Sequence, residues 1–178
     1  MATTTWQLDA AHSEVHFKVK HMMITNVTGS INNFDLHVES EGEDFSHAKV
    51  NFVATMKSIS TKNEQRDGHI MGPDFFDVEK YPEMRFTATG FDDKDEDGNF
   101  HMHGDLTIKE VTKPVKLFVE FGGIGKDPWG NQKAGFTIQG KINREDFGLV
   151  WNAALETGGV LVDNIVKINA EIQLVKQG

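Results

Sequence analysis

Residues 14–24 read EVHFKVKHMMI, and up to Lys20 this stretch alternates strictly between apolar and polar side chains. Val15, Phe17 and Val19 are apolar, and every residue between them is polar. Successive side chains of a β-strand point to opposite sides of the sheet, so this alternation is typical of a strand with one buried and one solvated face. The stretch therefore predicts a strand that borders an apolar interior.

The same alternation returns in seven further runs along the chain. Their spacing and their turns, such as Asp97-Gly98-Asn99, favour antiparallel hairpins over strand–helix–strand units. We therefore predict one all-β domain over residues 1–178, with about eight antiparallel strands. The apolar positions of the seven runs are Phe34, Leu36 and Val38; Val50, Phe52, Ala54 and Met56; Met84, Phe86 and Ala88; Phe100, Met102, Leu106 and Ile108; Val115, Leu117, Val119 and Phe121; Phe136, Ile138 and Ile142; and Val166, Ile168, Ala170, Ile172 and Leu174.

Strands with one apolar face can bury that face in two packed sheets or in one closed barrel. An eight-stranded barrel holds either a side-chain core or one small ligand. The bulky Phe and flexible Met side chains suit a deformable pocket as well as a plain core. Periodicity alone favours the plain core.

Residues 61–77 interrupt the series of strands and predict a short helical segment. Thr61 can cap a helix, and Glu64 three residues later completes a capping-box pattern. Gly72 and Pro73 then end the helix.

Phe75 and Phe76 follow directly after this helix. Burying a Phe side chain stabilises a protein by about 2 to 3 kcal/mol, so we expect both rings to pack against the end of a barrel or the edge of a sheet. The segment is then either a crossover that plugs a hole or a lid over a pocket, and both interpretations stay open.

The formal net charge of −9 is unfavourable for binding to phosphate backbones, and nucleic acid is therefore not an expected partner. The chain has no Cys, which excludes disulfides and thiolate chemistry. The first residues, MATTTWQLDAAHSEV, lack the basic and apolar regions of a signal peptide, and no run of apolar residues is long enough to span a membrane. We expect a cytoplasmic protein, or a periplasmic one if a signal peptide has been removed.

Two groups of residues could suggest a metal site. Asp93, Asp95 and Asp97 match the first half of a calcium-binding EF-hand loop, but the position that needs Glu is Gly104. His101 and His103 share one face of a strand, the face opposite the apolar positions. We predict neither a metal site nor a catalytic site, because no phosphate loop, nucleophile motif or triad signature is present.

Five segments in the same order resemble the YceI-like polyisoprenoid-binding family. They are WQLDAAHSEVHFKVKHM, VTGSINNFD, SISTKNEQRDGHIMGPDFFDVEKYPEMRFTAT, GDLTIKEVTKPVKL and INREDFGLVWN, and the resemblance extends from Trp6 to Leu174. It implies an extended, lipocalin-like, eight-stranded antiparallel barrel with a helical segment at one end. The implied ligand is an isoprenoid lipid or isoprenoid quinone held in the apolar interior.

The resemblance also implies ligand contacts. Arg66 and Asp67 match an Arg-Asp pair of the family, Phe75 and Phe76 match an aromatic pair, and His21 matches the His that ends a strand. We expect a polar head group to lie near the rim, close to His21, Arg66 or Lys109. The expected wall residues are Val15, Phe17, Val19, Phe34, Phe52, Met56, Phe86, Leu106, Ile108, Leu117, Phe136, Ile138 and Ile168.

The first functional hypothesis is non-catalytic binding, as carrier or reservoir, of an amphiphilic isoprenoid, with no cofactor besides that lipid. A homodimer is plausible from the family resemblance. The second hypothesis is an enzyme that acts on a lipid-like substrate, which would need a titratable group inside the pocket. The third is a stress-response protein with a filled core.

Overall fold

The computed structural model describes residues 3–153, 155 and 161–177, and most of them lie in β-strands. One helix, α1, spans Glu64–Met71. The strand segments are β1 (Thr3–Leu8), β2 (Glu14–His21), β3 (Thr25–Ile31), β4 (Phe34–Glu41), β5 (Asp44–Thr55), β6 (Ile59–Ser60), β7 (Glu83–Phe91), β8 (Phe100–Ile108), β9 (Val111–Lys126), β10 (Gln132–Asn143) and β11 (Val162–Lys176).

Three of the barrel strands are built from two segments each. A 3-10 turn at Ala10–His12 separates β1 from β2, and a second at Met56–Ser58 separates β5 from β6. Residues 32–33 separate β3 from β4. Each break leaves the order of the barrel strands unchanged. The strand formed by β1 and β2 lies beside the strand formed by β3 and β4, because β1 pairs with β4 and β2 pairs with β3. That strand in turn lies beside the one formed by β5 and β6, because β4 pairs with β5 and β3 pairs with β6.

The eight barrel strands pair in chain order, and the last pairs with the first. All of these pairs are antiparallel. The long strand β11 closes the ring, with its first half on β2 and its second half on β1. This closed up-and-down arrangement confirms the predicted eight-stranded antiparallel barrel and excludes two separate packed sheets.

An aromatic cluster fills one end of the barrel, which we call the closed end. Phe45 lies at its centre, with ring centroids 5.3 Å from Trp6, 5.9 Å from Phe121 and 5.0 Å from Phe136. Trp6 is fully buried, and its Nε1–H donates to Ser40 Oγ at 2.8 Å. Burial of these rings together with a satisfied indole N–H makes the closed end a conventional core.

Helix α1 lies at the opposite end and begins later than the sequence predicts. Its N-cap is Asn63, whose side chain accepts a hydrogen bond from the Arg66 N–H at 3.0 Å. Thr61 is not the cap, because Lys62 adopts a positive φ of 63° and turns the chain between Thr61 and Asn63. The helix ends at Met71, directly before Gly72 and Pro73, as the sequence predicts. The rest of the predicted helical segment, residues 72–77, forms a bend and a turn.

Three side chains of the barrel wall lie over glycines of the neighbouring strand. A Cβ added to any of these glycines would fall inside the van der Waals radius of the side chain above it. The side chains can therefore lie along the wall instead of projecting into the barrel. The pairs are Phe17 over Gly29, Phe86 over Gly104 and Leu117 over Gly140.

Gly104→Ala is expected to destabilise the protein by about 2 kcal/mol, as other overpacked sites do. The new Cβ would lie 2.6 Å from the Thr87 carbonyl oxygen and would also strike the Phe86 ring, so backbone and ring must both move. Gly90→Ala on the adjacent strand is the matched control, because a Cβ there meets no atom within 4 Å. Urea unfolding of both variants measures the difference, and equal stabilities would contradict the proposed packing.

Candidate ligand cavity

A cavity of about 670 Å³ extends from the end of the barrel that carries α1 toward the aromatic cluster at the closed end. This volume lies within the range of small-molecule sites in proteins. The inward-facing side chains of the strands form its wall, and nearly all of them are apolar. The barrel is therefore partly hollow, whereas periodicity alone favoured a plain core.

Most of the residues expected to contact a ligand line this cavity, although contact with a ligand remains a prediction. Alternation along the strands brings the wall residues together, and the helical segment adds residues at the opening. The lining residues among those predicted are Val15, Phe17, Val19, His21, Phe52, Met56, Arg66, Phe75, Phe76, Phe86, Leu106, Ile108, Leu117, Phe136, Ile138 and Ile168.

Phe34, Asp67 and Lys109 are not among the residues that line the cavity. Phe34 begins β4 directly after the strand break, and its ring packs beside Phe52 with a centroid distance of 5.7 Å. Lys109 lies in the turn between β8 and β9, where its Nζ is 5.8 Å from the centre of the Tyr81 ring. Phe34 thus packs against the core, as alternation predicts, but beside the cavity wall, whereas Lys109 lies in a turn, to which alternation does not apply.

Asp67 fixes α1 to the barrel instead of facing the cavity. Its Oδ1 accepts hydrogen bonds from Thr61 N at 2.8 Å and from Thr61 Oγ1 at 2.5 Å. Arg66 binds the same residue from the other side, donating from Nε to Thr61 Oγ1 and from Nη2 to Thr61 O, both at 2.8 Å. The predicted Arg-Asp pair therefore holds the buried Thr61, and only Arg66 also borders the cavity.

Asp67→Ala is expected to lower the free energy of unfolding by about 2 kcal/mol, because the buried N–H and hydroxyl of Thr61 lose their acceptor. Asp74→Ala is the control: its carboxylate is about half exposed and contacts only the half-exposed His69. Its expected cost is about 0.5 kcal/mol or less. Chemical denaturation distinguishes the two, and a cost for Asp67→Ala as small as that of the control would argue against an anchoring role.

Three segments surround the opening of the cavity, and we call them together the mouth: the turn at residues 22–24, α1 with residues 72–77, and residues 149–153. Three aromatic rings of the mouth lie in contact. The His69 ring lies 5.1 Å from Phe75 and 4.8 Å from Trp151 between centroids. Phe75 and Trp151 are 5.4 Å apart. All three rings line the cavity. The segment at residues 61–77, which contributes His69 and Phe75, therefore partly covers an open space and does not plug a core.

Arg144 is buried at the mouth, with 3% of its surface exposed, and it also lines the cavity. Its guanidinium donates to the carbonyl oxygens of Leu149 at 2.6 Å, Asp163 at 2.9 Å and Val162 at 3.3 Å. Burial lowers the pKa of Arg144, and the nearby carboxylates of Glu145 and Asp163 oppose this effect. The side chain thus joins the loop after β10 to the start of β11.

Sequence reasoning missed several residues of the cavity. Val50, Met84 and Val115 belong to the alternating apolar runs, so the same signal could have identified them. Arg144 and Trp151 lie in a loop, and their place at the mouth depends on contacts with β11 and with the segment after α1. No local pattern carries that information.

Within the part of the chain that the structure describes, no group of three or more His, Asp or Glu side chains could hold a metal ion. The candidate residues have other roles: Asp95 Oδ1 accepts from the backbone N–H groups of Asp97 and Asn99, and His103 contacts Asp92 at 2.9 Å. No Asp or Glu of the described residues lines the cavity. The one α-helix found among them is too short to cross a membrane.

A family model described as YceI-like domain matches residues 6–174. A UPF0312 protein of Staphylococcus aureus strain MSSA476 is 39% identical over 171 residues, which is 96% of each chain. The crystal structure of the Campylobacter jejuni YCEI protein has a TM-score of 0.76 and 31% identity, covering 96% of this chain and 97% of that one. A polyisoprenoid binding domain from Saccharophagus degradans has a TM-score of 0.65 at 13% identity, covering 97% and 98%, and at this identity the likeness concerns the fold alone.

Proposed function

Because the chain belongs to the YceI-like domain family, we propose that it is a non-catalytic binding protein for an amphiphilic isoprenoid, either a polyprenyl lipid or an isoprenoid quinone. The observation that carries the proposal is the open cavity of about 670 Å³ with an almost wholly apolar wall. A barrel that needed only a core would fill this space with side chains. The protein then acts as a carrier or reservoir, and the bound lipid takes the place of a cofactor.

The chemistry of a polyprenyl chain suits this wall. Such a chain has no hydrogen-bonding groups along most of its length, so its affinity comes from apolar surface removed from water, about 25 cal/mol per Å² before ordering costs. The flexible side chains of Met56, Met84 and Met102 border the cavity and can adapt to a methyl-branched chain. The structural neighbour from Saccharophagus degradans is a polyisoprenoid binding domain, so the shared fold is compatible with this class of ligand.

The polar groups that line the cavity favour a head group at the mouth. His21, Arg66 and His69 lie there, and no carboxylate among the described lining residues opposes them. Hydrogen-bond donors at the rim suit a phosphate or a quinone carbonyl. The apolar tail would then extend toward Phe45 and Phe136 at the closed end.

The enzyme hypothesis needs a titratable group deep in the cavity. Among the described lining residues, His21 and His69 lie at the mouth, whereas His16 lies further along β2 with its Nε2 2.9 Å from the exposed Glu14 carboxylate. The rest of the deeper wall is formed by side chains such as Leu106, Val119 and Ile172. A general acid or base must reach the reacting atom within hydrogen-bond distance. The geometry therefore favours binding over catalysis.

Organic extraction of freshly purified protein, followed by mass spectrometry, tests the proposal. We expect a polyprenyl lipid or isoprenoid quinone in a ratio close to one per chain, with the matching mass increase in native mass spectrometry. Protein that is recovered empty is titrated with added isoprenoids. An empty protein that also fails to bind them would contradict the proposal and leave the filled-core and enzyme hypotheses.

A further inference from the structure

The turn between β2 and β3 places three large apolar side chains in water at the mouth. Met22, Met23 and Ile24 are 44%, 51% and 76% exposed. The adjoining residue His21 lines the cavity, so the turn stands directly beside the opening. An exposed apolar cluster of this kind next to a binding site marks a contact surface.

The backbone of this turn is unfavourable for the residues it contains. Met22 and Met23 have φ values of 55° and 66°, and the Ile24 N–H donates to the His21 carbonyl at 3.2 Å. Positive φ at both central positions is characteristic of a type I′ turn, which strongly favours Asn-Gly. Met22 and Met23 therefore occupy positions that Asn and Gly would fill at lower cost, so the fold does not require methionine at either position.

The apolar surface continues around the mouth. Val150 is 63% exposed and follows Leu149, the residue whose carbonyl Arg144 holds. The Met22 N–H donates to the Leu161 carbonyl at 2.8 Å, which fixes the turn against the start of β11. Apolar side chains of the turn and of the 149–153 segment therefore flank the same opening.

A row of lysines lies on the outer wall below the turn. Lys18, Lys167 and Lys141 are direct neighbours on β2, β11 and β10, and Lys20 lies between Lys18 and the turn. All four are exposed, and none forms an ion pair with an acidic residue in the described part of the chain. Like charges directly opposite one another destabilise a sheet, so this row also costs stability in isolation.

Acidic residues lie at both ends of the barrel and limit the extent of this basic row. On the same wall, further from the mouth, Glu171 lies directly opposite Glu14. The closed end carries the loop at residues 92–97, which reads DDKDED, and the turn that contains Glu43. The end of the barrel that carries the mouth also has exposed acidic residues, such as Glu64, Asp74 and Glu145, so the lysine row is a local basic patch on one wall of a protein with net charge −9.

We propose that the mouth docks on the surface of an anionic lipid bilayer, with Met22, Met23 and Ile24 inserted among the head groups and the lysine row facing lipid phosphates. Apolar insertion combined with nearby lysines is the usual basis of peripheral membrane binding. A second copy of the chain is a poorer occupant, since a two-fold contact at this surface would bring two lysine rows together. The docking is a property of the protein surface, whereas its purpose, the transfer of lipid into the cavity, depends on the proposed function.

Flotation with large unilamellar vesicles of phosphatidylcholine and phosphatidylglycerol in a 2:1 ratio tests the docking. We expect wild-type protein to float with these vesicles at low salt and to be released as the salt concentration rises. The double variant Lys18→Gln, Lys167→Gln is expected to bind these vesicles about 30-fold more weakly, because each lysine near an anionic surface contributes a factor of about five to the binding. Lys126→Gln with Lys176→Gln is the matched control, because both lysines are exposed at the closed end.

The turn is tested by the triple variant Met22→Asn, Met23→Gly and Ile24→Thr. We expect at least about tenfold weaker partition through lost apolar insertion, with a melting temperature raised by about 3 °C because Asn-Gly suits the turn. Weaker binding in a more stable protein excludes unfolding as the cause. Trp129→Ser is the apolar control, since Trp129 is 84% exposed at the closed end and should have no effect.

Docking would be overturned if wild-type protein failed to float with anionic vesicles or if the triple variant floated equally well. It would also be overturned if sedimentation showed a wild-type dimer that the triple variant dissociates, with no vesicle binding by either. Lipid extraction from the same batches separates the two proposals. If the protein binds vesicles but no batch contains isoprenoid, the result supports docking and counts against the proposed function. If the protein contains isoprenoid but does not bind vesicles, the result supports the proposed function and counts against docking.

Discussion

Phe52→Asp is expected to reduce the affinity for isoprenoid at least about 100-fold, because the ligand loses an apolar contact and meets a carboxylate that cannot stay hydrated beside it. Phe52 lies on β5 and borders the cavity. Extraction and mass spectrometry of equal amounts of wild-type and variant protein measure the loss. Titration of lipid-free protein with a quinone or polyprenol gives the change in dissociation constant.

Val53→Asp is the matched control, because Val53 is the next residue on β5 and points to the opposite side of the sheet. Its partners on the two neighbouring strands are Arg85 and Asp35, so the added carboxylate meets one opposite and one like charge. Since Phe52 also packs against Phe34, thermal melts of both variants must precede the titrations. If Phe52→Asp lost stability, Met84→Gln provides a milder polar change in the same wall. Unchanged lipid content in folded Phe52→Asp or Met84→Gln protein would count against the cavity as the binding site.

Arg144→Met is expected to lower the free energy of unfolding by about 3 kcal/mol, since it removes a donor from three carbonyl groups at the mouth, of which, in the described part of the chain, only that of Val162 keeps another, from Asn152 Nδ2 at 2.7 Å. Those carbonyls belong to Leu149, Val162 and Asp163. Urea unfolding at neutral pH measures the loss. Arg144→Lys should recover only part of it, because an ammonium group cannot span the three acceptors as the planar guanidinium does.

Arg85→Met is the control for loss of a cation, because its ion pair with Glu83 is largely exposed and should contribute less than about 1 kcal/mol. Hydrogen exchange adds a local test. The Val162 N–H, which donates to Asn152 Oδ1 at 3.0 Å, should exchange faster in Arg144→Met than amides in β8. A stability loss below about 1 kcal/mol would show that the loop and β11 hold together without this side chain.

Alternation identified one segment of each of the eight barrel strands and most of the cavity wall, but it did not identify the segments β1, β3 and β6. The side chains of Phe17, Leu106 and Ile138 were assigned to the interior from the two-residue period, and they line the cavity. This part was predictable because the side-chain direction along a strand depends only on position within the strand. The family resemblance supplied the closure of the barrel, which periodicity leaves open.

The sequence by itself thus determined at least one segment of every barrel strand, the antiparallel connections between the strands and the inward face of each identified segment. Only the tertiary structure decided that the interior is hollow, since this depends on rings such as Phe86 lying over Gly104 of a neighbouring strand and on Trp6 and Phe45 filling the opposite end. It also decided that Asp67 anchors Thr61 and that Arg144 joins a loop to β11. These facts depend on contacts between residues distant in the chain or across a turn, and a local sequence pattern does not encode such contacts.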